Sequence, residues 1–437
     1  MATSPEIRPE GPSARRGRSI APLLAFVFLA SVGTGAVTNG IFYLTESALD
    51  YDKTDNLILA TITHAAYIPG ALAIGPIRRR TGLDTRAALF TITALLAAAC
   101  FVPAIARPAG GTAPSWSVWV TAVAYAPLTG MMWPLVEGRL AARRSGRNLR
   151  RAVGAFNIAW ASAMIAAYFA MAPLVRSAPL QVLTWLGVCH LLSLVVIARL
   201  ASDRRVDAET RERAPHEDDA EPDAGPDAEQ VAARSRRRAT TFRVLLPASY
   251  VAMAVLDPIL ASSLARLGVS EPWRPALVAT WLVTRLVAFM TLHLWHGWHR
   301  ARFTPHAATI GLLTSMAAVL LLPFTATGAT AIGGMLLALG VLGVAQGAVY
   351  KGALYYALEH SEHKVDTGGR HEALIGVGYT IGPLLGILAF GLDRGEGLLG
   401  SSILVALLWT TTLGALAIAA LRGQPPESRP VQSIEPS

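Results

Sequence analysis

Twelve long apolar segments, separated by short polar stretches, make up most of this 437-residue sequence. A helix of about 20 apolar residues crosses the roughly 30 Å hydrocarbon core of a bilayer. The segments lie at residues 20–44, 56–76, 87–106, 115–136, 151–174, 178–199, 244–265, 274–295, 306–326, 331–357, 373–392 and 397–421. The sequence therefore predicts an all-α integral membrane protein with twelve transmembrane helices.

The most polar stretch, residues 201–243, lies between two apolar halves of similar length. It mixes acidic, basic and Pro/Ala/Gly-rich sequence without apolar periodicity. It therefore buries too little surface to offset the entropic cost of ordering the chain. We expect it to be a flexible linker between six-helix bundles at residues 20–200 and 244–421. Residues 1–19 and 422–437 are expected to be polar tails.

The two halves show traces of an internal repeat. A shift of 222 residues places Gly75 on Gly297, Glu137 on Glu359 and Gly154 on Gly376, and it also aligns Arg78 with Arg300 and Arg80 with Arg302. These residues fall at equivalent helix ends. Two parallel repeats are typical of one large class of secondary transporters, in which the substrate binds between the halves near the bilayer midplane.

The distribution of basic residues predicts the orientation. Thirty of the 38 Lys and Arg residues fall in the tails, the linker and alternate loops, and six fall in the loops of the other side. Because cytoplasmic segments carry the excess of Lys and Arg, both termini and the linker are predicted to be cytoplasmic, in a protein of the plasma membrane. The net charge of +9 is thus explained by the lipid bilayer, and no nucleic-acid partner is predicted.

Ionisable side chains within apolar segments are candidates for the functional site. Each charged residue at mid-helix costs about 2.5 to 3.5 kcal/mol, so Asp257, Arg285 and Lys351 must be paired or solvated. Arg285 lies nearest the middle of its segment, and we expect Asp257 to pair with it when the site is empty. The surplus positive charge predicts an anionic or zwitterionic substrate. The remaining candidates for substrate binding or coupling are His64, Asn157 and Tyr379.

Two of these residues have alternative interpretations. Lys351 lies nearer one end of its segment, so its long stem can also carry the ammonium to the membrane surface. His64 is either a proton relay or a packed, hydrogen-bonded core histidine.

The loop GPIRRRTG at residues 75–82 resembles the signature loop of the major facilitator superfamily. Gly75, Arg80 and Gly82 match the pattern, while Arg79 stands where the family usually has Asp. The resemblance implies alternating access, with Gly75, Arg80 and Gly82 as gating candidates. Independently of the resemblance, the opposed carboxylates Glu137 and Glu359 are further gating candidates at the inner side. The substitution at Arg79 leaves the family's charge relay in doubt for this chain.

A second motif, Gly378-x-x-x-Gly382-Pro383, resembles a pattern in the fifth helix of the family's drug and proton antiporters. Here it lies in the eleventh helix, which is equivalent to the fifth in the repeat. Small residues four apart predict close helix contact. The position of the motif leaves import and export both open.

These observations predict a secondary active transporter, a permease of the symporter or antiporter kind, that moves a small solute with protons or another ion. The alternative is a non-transporting sensor or scaffold with a transporter-like fold, and a polytopic membrane enzyme is a weaker option. The sequence offers neither a phosphate-binding loop nor a nucleophile with its base, so no enzyme activity and no cofactor are predicted. The hairpin at 359–372, with His360, His363 and His371, is expected to be solvated, and no metal site is predicted.

Overall fold

The computed structural model describes residues 20–109, 111–142, 144–203, 228–295, 297–298, 301, 303–359, 364–393 and 397–422. Twelve long helices follow one another along these ranges. They are α1 (Ala21–Gly33), α2 (Lys53–Thr81), α3 (Thr85–Ile105), α4 (Ser115–Ala141), α5 (Gly146–Met171), α6 (Gln181–Ala198), α7 (Ala228–Arg266), α8 (Arg274–Leu294), α9 (Thr304–Thr325), α10 (Gly328–Glu359), α11 (Lys364–Gly391) and α12 (Leu398–Arg422). The polypeptide of α1 continues through a π-helical segment, Thr34–Asn39, into Ile41–Leu49.

Eleven of these helices are long and apolar enough to cross a membrane when α1 is taken together with its π-helical segment, as Ala21–Asn39. The remaining helix, α4, spans 27 residues but does not reach the same hydropathy, because Trp, Tyr, Pro and Glu residues interrupt its apolar sequence. The described residues contain helices and no strands. The predicted fold class, an all-α integral membrane protein, is confirmed.

Local signals explain where α2 and α3 begin and end. Asp52 caps α2 by accepting hydrogen bonds from the amides of Thr54 and Asp55, and the Asp55 carboxylate accepts one from the Asp52 amide in return. Gly82 ends α2 with φ at 65°, in the left-handed region that glycine adopts without strain. Asp84 then caps α3. Residues 75–81, predicted to lie in a loop, therefore form the last turns of α2, and only residues 82–84 turn between the two helices.

The boundary of the linker differs from the prediction. The helix α7 begins at Ala228, so residues 228–243, expected to be part of a flexible linker, are helical. The segment contains no Gly or Pro and is rich in Ala and Arg, which favour helix. Residues 204–227, which form the rest of the predicted linker after Asp203, lie outside the described residues, as do Arg300, Arg302, His360, His363 and the tails 1–19 and 423–437.

Contacts between the halves come mainly from three helix pairs, α2 with α11, α5 with α8 and α4 with α11. Gly154 of α5 faces the His293 ring of α8, and Gly376 of α11 faces Tyr67 and Ile68 of α2. A Cβ at Gly376 would lie 2.8 Å from Ile68 Cγ1, so only glycine allows this approach. The two glycines that coincide in the internal repeat thus occupy corresponding contacts between the halves.

The motif that begins at Gly378 packs as predicted. Gly378 lies against the Pro247 carbonyl and Tyr250 of α7, and Gly382 lies against the Val251 carbonyl. The small-residue stripe therefore brings α11 into close contact with α7, within the second half of the chain.

Ion pairs mark the two ends of the bundle. One end, called the linker end, carries Arg79, Asp366 and Asp203, where the described part of the linker starts. There Asp203 accepts hydrogen bonds from Arg78 and Arg139, which ties the start of the linker to α2 and α4. The opposite end, called the far end, carries Glu46, Lys53 and Arg274. The predicted topology places the linker end in the cytoplasm.

Candidate functional site

Arg285 lies in the middle of the bundle with none of its surface exposed. Its guanidinium carbon is 4.4 Å from the ring centroid of Trp160, and three further rings, those of Trp281, Phe289 and Tyr350, lie within 5.7 Å. The guanidinium also donates to the Tyr250 hydroxyl at 3.3 Å and to Gln346 Oε1 at 3.4 Å. We call these six partners the Arg285 box.

The Arg285 box spans the contact between the halves. Trp160 comes from α5, whereas its other members come from α7, α8 and α10. The rings of Trp160 and Tyr350 are nearly parallel, with an interplanar angle of 6° and centroids 5.6 Å apart. Movement of one half against the other therefore opens or closes this aromatic pair.

The predicted ion pair between Asp257 and Arg285 is wrong. Asp257 Oδ2 accepts a 2.6 Å hydrogen bond from Asn39 Nδ2, and the structure contains no Arg285 ion pair within the described ranges. The π-helical segment of α1 carries Asn39, and such segments commonly place functional side chains. Aromatic faces and neutral oxygens offset the desolvation of Arg285 in place of a carboxylate.

Two predicted candidates, His64 and Tyr379, lie in contact across the halves. Their rings stack with centroids 4.4 Å apart, and His64 Nδ1 lies 3.1 Å from the Tyr379 carbonyl oxygen. The Tyr379 ring in turn packs edge-on against Tyr250 of the Arg285 box, at 4.9 Å. His64 is thus a packed histidine at the edge of the site, and its Nε2 has no hydrogen-bond partner among the described residues.

The other two candidates are buried but differ in their contacts. Asn157 is fully buried, and neither of its amide atoms has a partner in the described part of the chain. Lys351 is 1% exposed, and its ammonium donates to the Phe289 carbonyl at 3.3 Å and lies over the Trp298 ring. Its side chain therefore does not reach the surface, in contrast to one of the two expected positions.

At the linker end, the residues that match the signature loop differ in their contacts. Gly82 forms the turn, and Gly75 leaves room for Asp366, which approaches from α11. Arg80 is exposed, and its side chain forms no hydrogen bond or ion pair with another described residue, so its gating role stays a prediction. Arg79, at the position where the family usually has Asp, forms the ion pair with Asp366 instead. This ion pair joins α2 of the first half to α11 of the second half.

The predicted opposition of Glu137 and Glu359 is also wrong. Glu137 is fully buried beside Glu372 and His371, whereas Glu359 accepts a hydrogen bond from the Gly146 amide at 3.1 Å. The reason is that α11 begins at Lys364, so residues expected in a solvated hairpin belong to a helix that packs on α4. The Tyr67 hydroxyl of α2 donates to Glu372.

Several site residues were not identified from the sequence: Asn39, Tyr67, Trp160, Tyr250, Gln346, Tyr350 and Glu372. Aromatic residues within apolar spans are usual in membrane helices, so Trp160, Tyr250 and Tyr350 carried no distinct signal. Gln346 is a polar side chain inside an apolar run, and this feature was the available signal for it.

Fold and site together describe a multi-pass membrane protein whose two helical halves enclose buried polar and aromatic groups. No family model and no curated protein matches the sequence. Among solved structures, the chain is similar to a mutant of the nucleoside transporter NupG, with a TM-score of 0.60 and 12% identity over 92% of this chain and 98% of that one. A second NupG structure gives a TM-score of 0.58 and 12% identity, over 93% and 99% of the two chains. At this identity the likeness is one of fold, and the fold is that of a transporter.

Proposed function

We propose that this protein is a secondary active transporter of the major facilitator type, which moves a small anionic or zwitterionic solute by alternating access. The single observation that carries the proposal is the Arg285 box. A fully buried guanidinium lies between the halves, and no carboxylate among the described residues forms an ion pair with it. A transported solute that supplies the missing negative charge fits this arrangement.

The energetics favour an anion at Arg285. Burying an unpaired charge costs several kcal/mol even after relaxation. Cation–π contacts and hydrogen bonds of 3.3 and 3.4 Å to neutral oxygens offset this cost but supply no negative charge. Arg285 Nε also has no partner among the described residues. A carboxylate or phosphate on the solute would satisfy this nitrogen and the remaining charge.

A planar solute such as a nucleoside is the second candidate. The parallel rings of Trp160 and Tyr350 would flank a heterocycle if the halves separated slightly, and the Gln346 amide could hydrogen-bond its edge. The solved structures of similar fold are those of a nucleoside transporter. Nucleosides therefore belong in the first set of solutes to be tested.

Alternating access would proceed by movement of residues 20–200 against residues 244–421. Contacts bridge the halves at both ends, through Arg79 and Asp366 at the linker end and through Glu46 and Arg274 at the far end. Asp257, held by Asn39 from the other half, is the proposed carrier of a coupling proton. A sensor or scaffold with this fold would keep both ends closed.

The test is solute flux in proteoliposomes, with and without a pH gradient, using anionic, zwitterionic and nucleoside panels. Arg285→Ala should raise the half-saturating solute concentration at least tenfold, because a hydrogen bond to a charged group contributes about 1.5 to 3 kcal/mol. Arg285→Lys should retain part of the affinity, since Lys keeps the charge but loses the planar fork. Arg107→Ala, at an exposed loop arginine, is the control.

Two results would contradict the proposal. Unchanged affinity in correctly inserted Arg285→Ala protein would remove Arg285 from the site. If no solute in the panels crossed the membrane under either condition, the sensor or scaffold would become the better interpretation.

A further inference from the structure

A second group of buried polar side chains lies nearer the linker end than the Arg285 box. It comprises Glu137 of α4 with His371 and Glu372 of α11, each at most 4% exposed. One ligand atom from each of the three residues lies within 4.8 Å of the others. The group therefore joins the first half of the chain to the second.

His371 Nε2 and the Glu137 carboxylate have unsatisfied hydrogen-bonding capacity. Within the described part of the chain, His371 Nε2 has no hydrogen bond, and the Glu137 oxygens have none unless one carboxyl of the Glu137–Glu372 pair is protonated. Buried polar atoms are almost always satisfied, so each exception needs an explanation. Two adjacent buried carboxylates also repel each other when both are ionised. A bound cation resolves both problems.

The types of donor define the class of cation. An imidazole nitrogen with two carboxylate oxygens suits Zn²⁺, Mn²⁺ or Co²⁺ better than Mg²⁺ or Ca²⁺, which prefer oxygen alone. In a tetrahedral zinc site with bonds of about 2.0 to 2.2 Å, the donors lie about 3.4 Å apart. The longest separation here has to shrink by at most about 1.4 Å, which side-chain rotation supplies.

The surroundings orient the ligands of this group. A Cβ at Gly368 would lie 2.8 Å from Glu137 Oε2, so a larger residue at this position would crowd the carboxylate. The Tyr67 hydroxyl holds Glu372, as outer partners commonly hold metal ligands. The Tyr350 ring, part of the Arg285 box, packs edge-on against His371 with centroids 5.8 Å apart.

We propose that Glu137, His371 and Glu372 form a divalent transition-metal site that ties α4 to α11 and holds the linker end closed. The sequence predicted no metal site, because it placed His371 and Glu372 in or beside a solvated hairpin. Metal binding is independent of the proposed transport function, whereas the effect on the linker end rests on it. Through Tyr350, occupancy of the site also restrains one wall of the Arg285 box.

The binding test uses the full chain, purified in detergent and stripped with EDTA. Titration calorimetry should detect one Zn²⁺ per chain, Co²⁺ should give visible absorption bands of a bound ion, and Mg²⁺ should give no heat. Glu137→Gln and His371→Ala should each weaken Zn²⁺ binding at least tenfold. The controls are Glu46→Gln, at a carboxylate of the far end, and His306→Ala, at an exposed histidine of α9.

Zn²⁺ binding of wild-type strength in both Glu137→Gln and His371→Ala would overturn the site, as would the absence of Zn²⁺ heat in the wild type. That last result would mean that the two carboxylates share a proton instead. If a variant fails to fold, the Co²⁺ spectrum of the wild type decides, since a spectrum identical to that of Co²⁺ in buffer excludes the site.

The proposal that the bound metal holds the linker end closed is tested separately, by solute flux in proteoliposomes with Zn²⁺ on either side. Zn²⁺ should slow flux at least fivefold in the wild type and not in Glu137→Gln. Zn²⁺ binding without slowed flux would show that the metal does not hold the linker end closed, while the metal site itself would stand. Absence of flux with and without metal would instead contradict the proposed transport function.

Discussion

At the linker end the halves meet in the protein interior, through the buried group of Glu137, His371 and Glu372 and the glycine-lined contact of α2 with α11. At the far end they are bridged near the surface, by the Glu46–Arg274 ion pair at 2.8 Å and by the Lys53 ammonium over an aromatic ring. The Glu46–Arg274 pair is partly buried, and ion pairs near a protein surface contribute little, whereas the close helix contact at the linker end is fixed by packed glycines. The linker end should therefore be the harder of the two to open.

The comparison also shows where sequence changes act. The exposed Arg79–Asp366 pair lies at the rim of the linker end, outside the packed contact. The packed glycines lie inside that contact, where a Cβ has no space.

The largest effect is expected from filling the packed contact. A Cβ at Gly369 would lie 2.6 Å from the Ala71 carbonyl oxygen, so Gly369→Val should force α11 away from α2, at a cost of about 1 to 3 kcal/mol. A cysteine at Val365, which packs on Gly138, reports the opening in a Cys100→Ser, Cys189→Ser background. Its maleimide labelling rate should rise at least fivefold.

Gly414→Val is the control for this change, because nothing lies within 4 Å of a Cβ at that position. Equal labelling of the Val365 cysteine in both variants would show that the contact between α2 and α11 does not keep the linker end closed.

A smaller effect is expected from the ion pair at the rim. Arg79→Asp should place two carboxylates together and raise labelling of the same cysteine about two- to fivefold, since exposed pairs contribute at most about 1 kcal/mol. The double variant Arg79→Asp, Asp366→Arg should restore the original rate. Arg80→Asp, at the exposed neighbour, is the matched control, and failure of the double variant to recover would mean that Arg79 acts without Asp366.

The smallest effect is expected at the far end. Burial raises the pKa of the Glu46 carboxyl, and Arg274 offsets part of that rise. Ionised Glu46 therefore contributes little, and Glu46→Gln should change the free energy of unfolding by less than about 1 kcal/mol at neutral pH. Because the pKa is higher in the folded protein, the wild type should lose stability relative to the variant as pH rises above 4.5.

Denaturant titration at several pH values measures this difference, with 0.5 M NaCl added to screen the ion pair. A loss above 2 kcal/mol that salt removes would show that the far end depends on Glu46 as strongly as the linker end depends on its packed core.

Particular residues show how far the sequence could predict this site. Arg285, Asp257, His64 and Tyr379 were identified because a charge or polar group in an apolar span needs a partner. Their partners could not be identified, since Asn39 reaches Asp257 across 218 positions of sequence and Tyr379 reaches His64 across 315. Glu372 was missed because the helical continuation of α11 into a polar hairpin is set by packing against α4 and α2.

The sequence by itself determined the membrane class, the number and order of the helices and the buried charges, because these follow from local hydropathy and from the cost of burying a charge in lipid. Only the tertiary structure decided which groups satisfy those charges, that Arg79 rather than Arg80 meets Asp366, and that Glu137 meets Glu372 rather than Glu359. The physical reason is that helix–helix contacts depend on the rotation and register of whole helices. These are set by where glycines on segments far apart in the sequence allow two helices to approach closely.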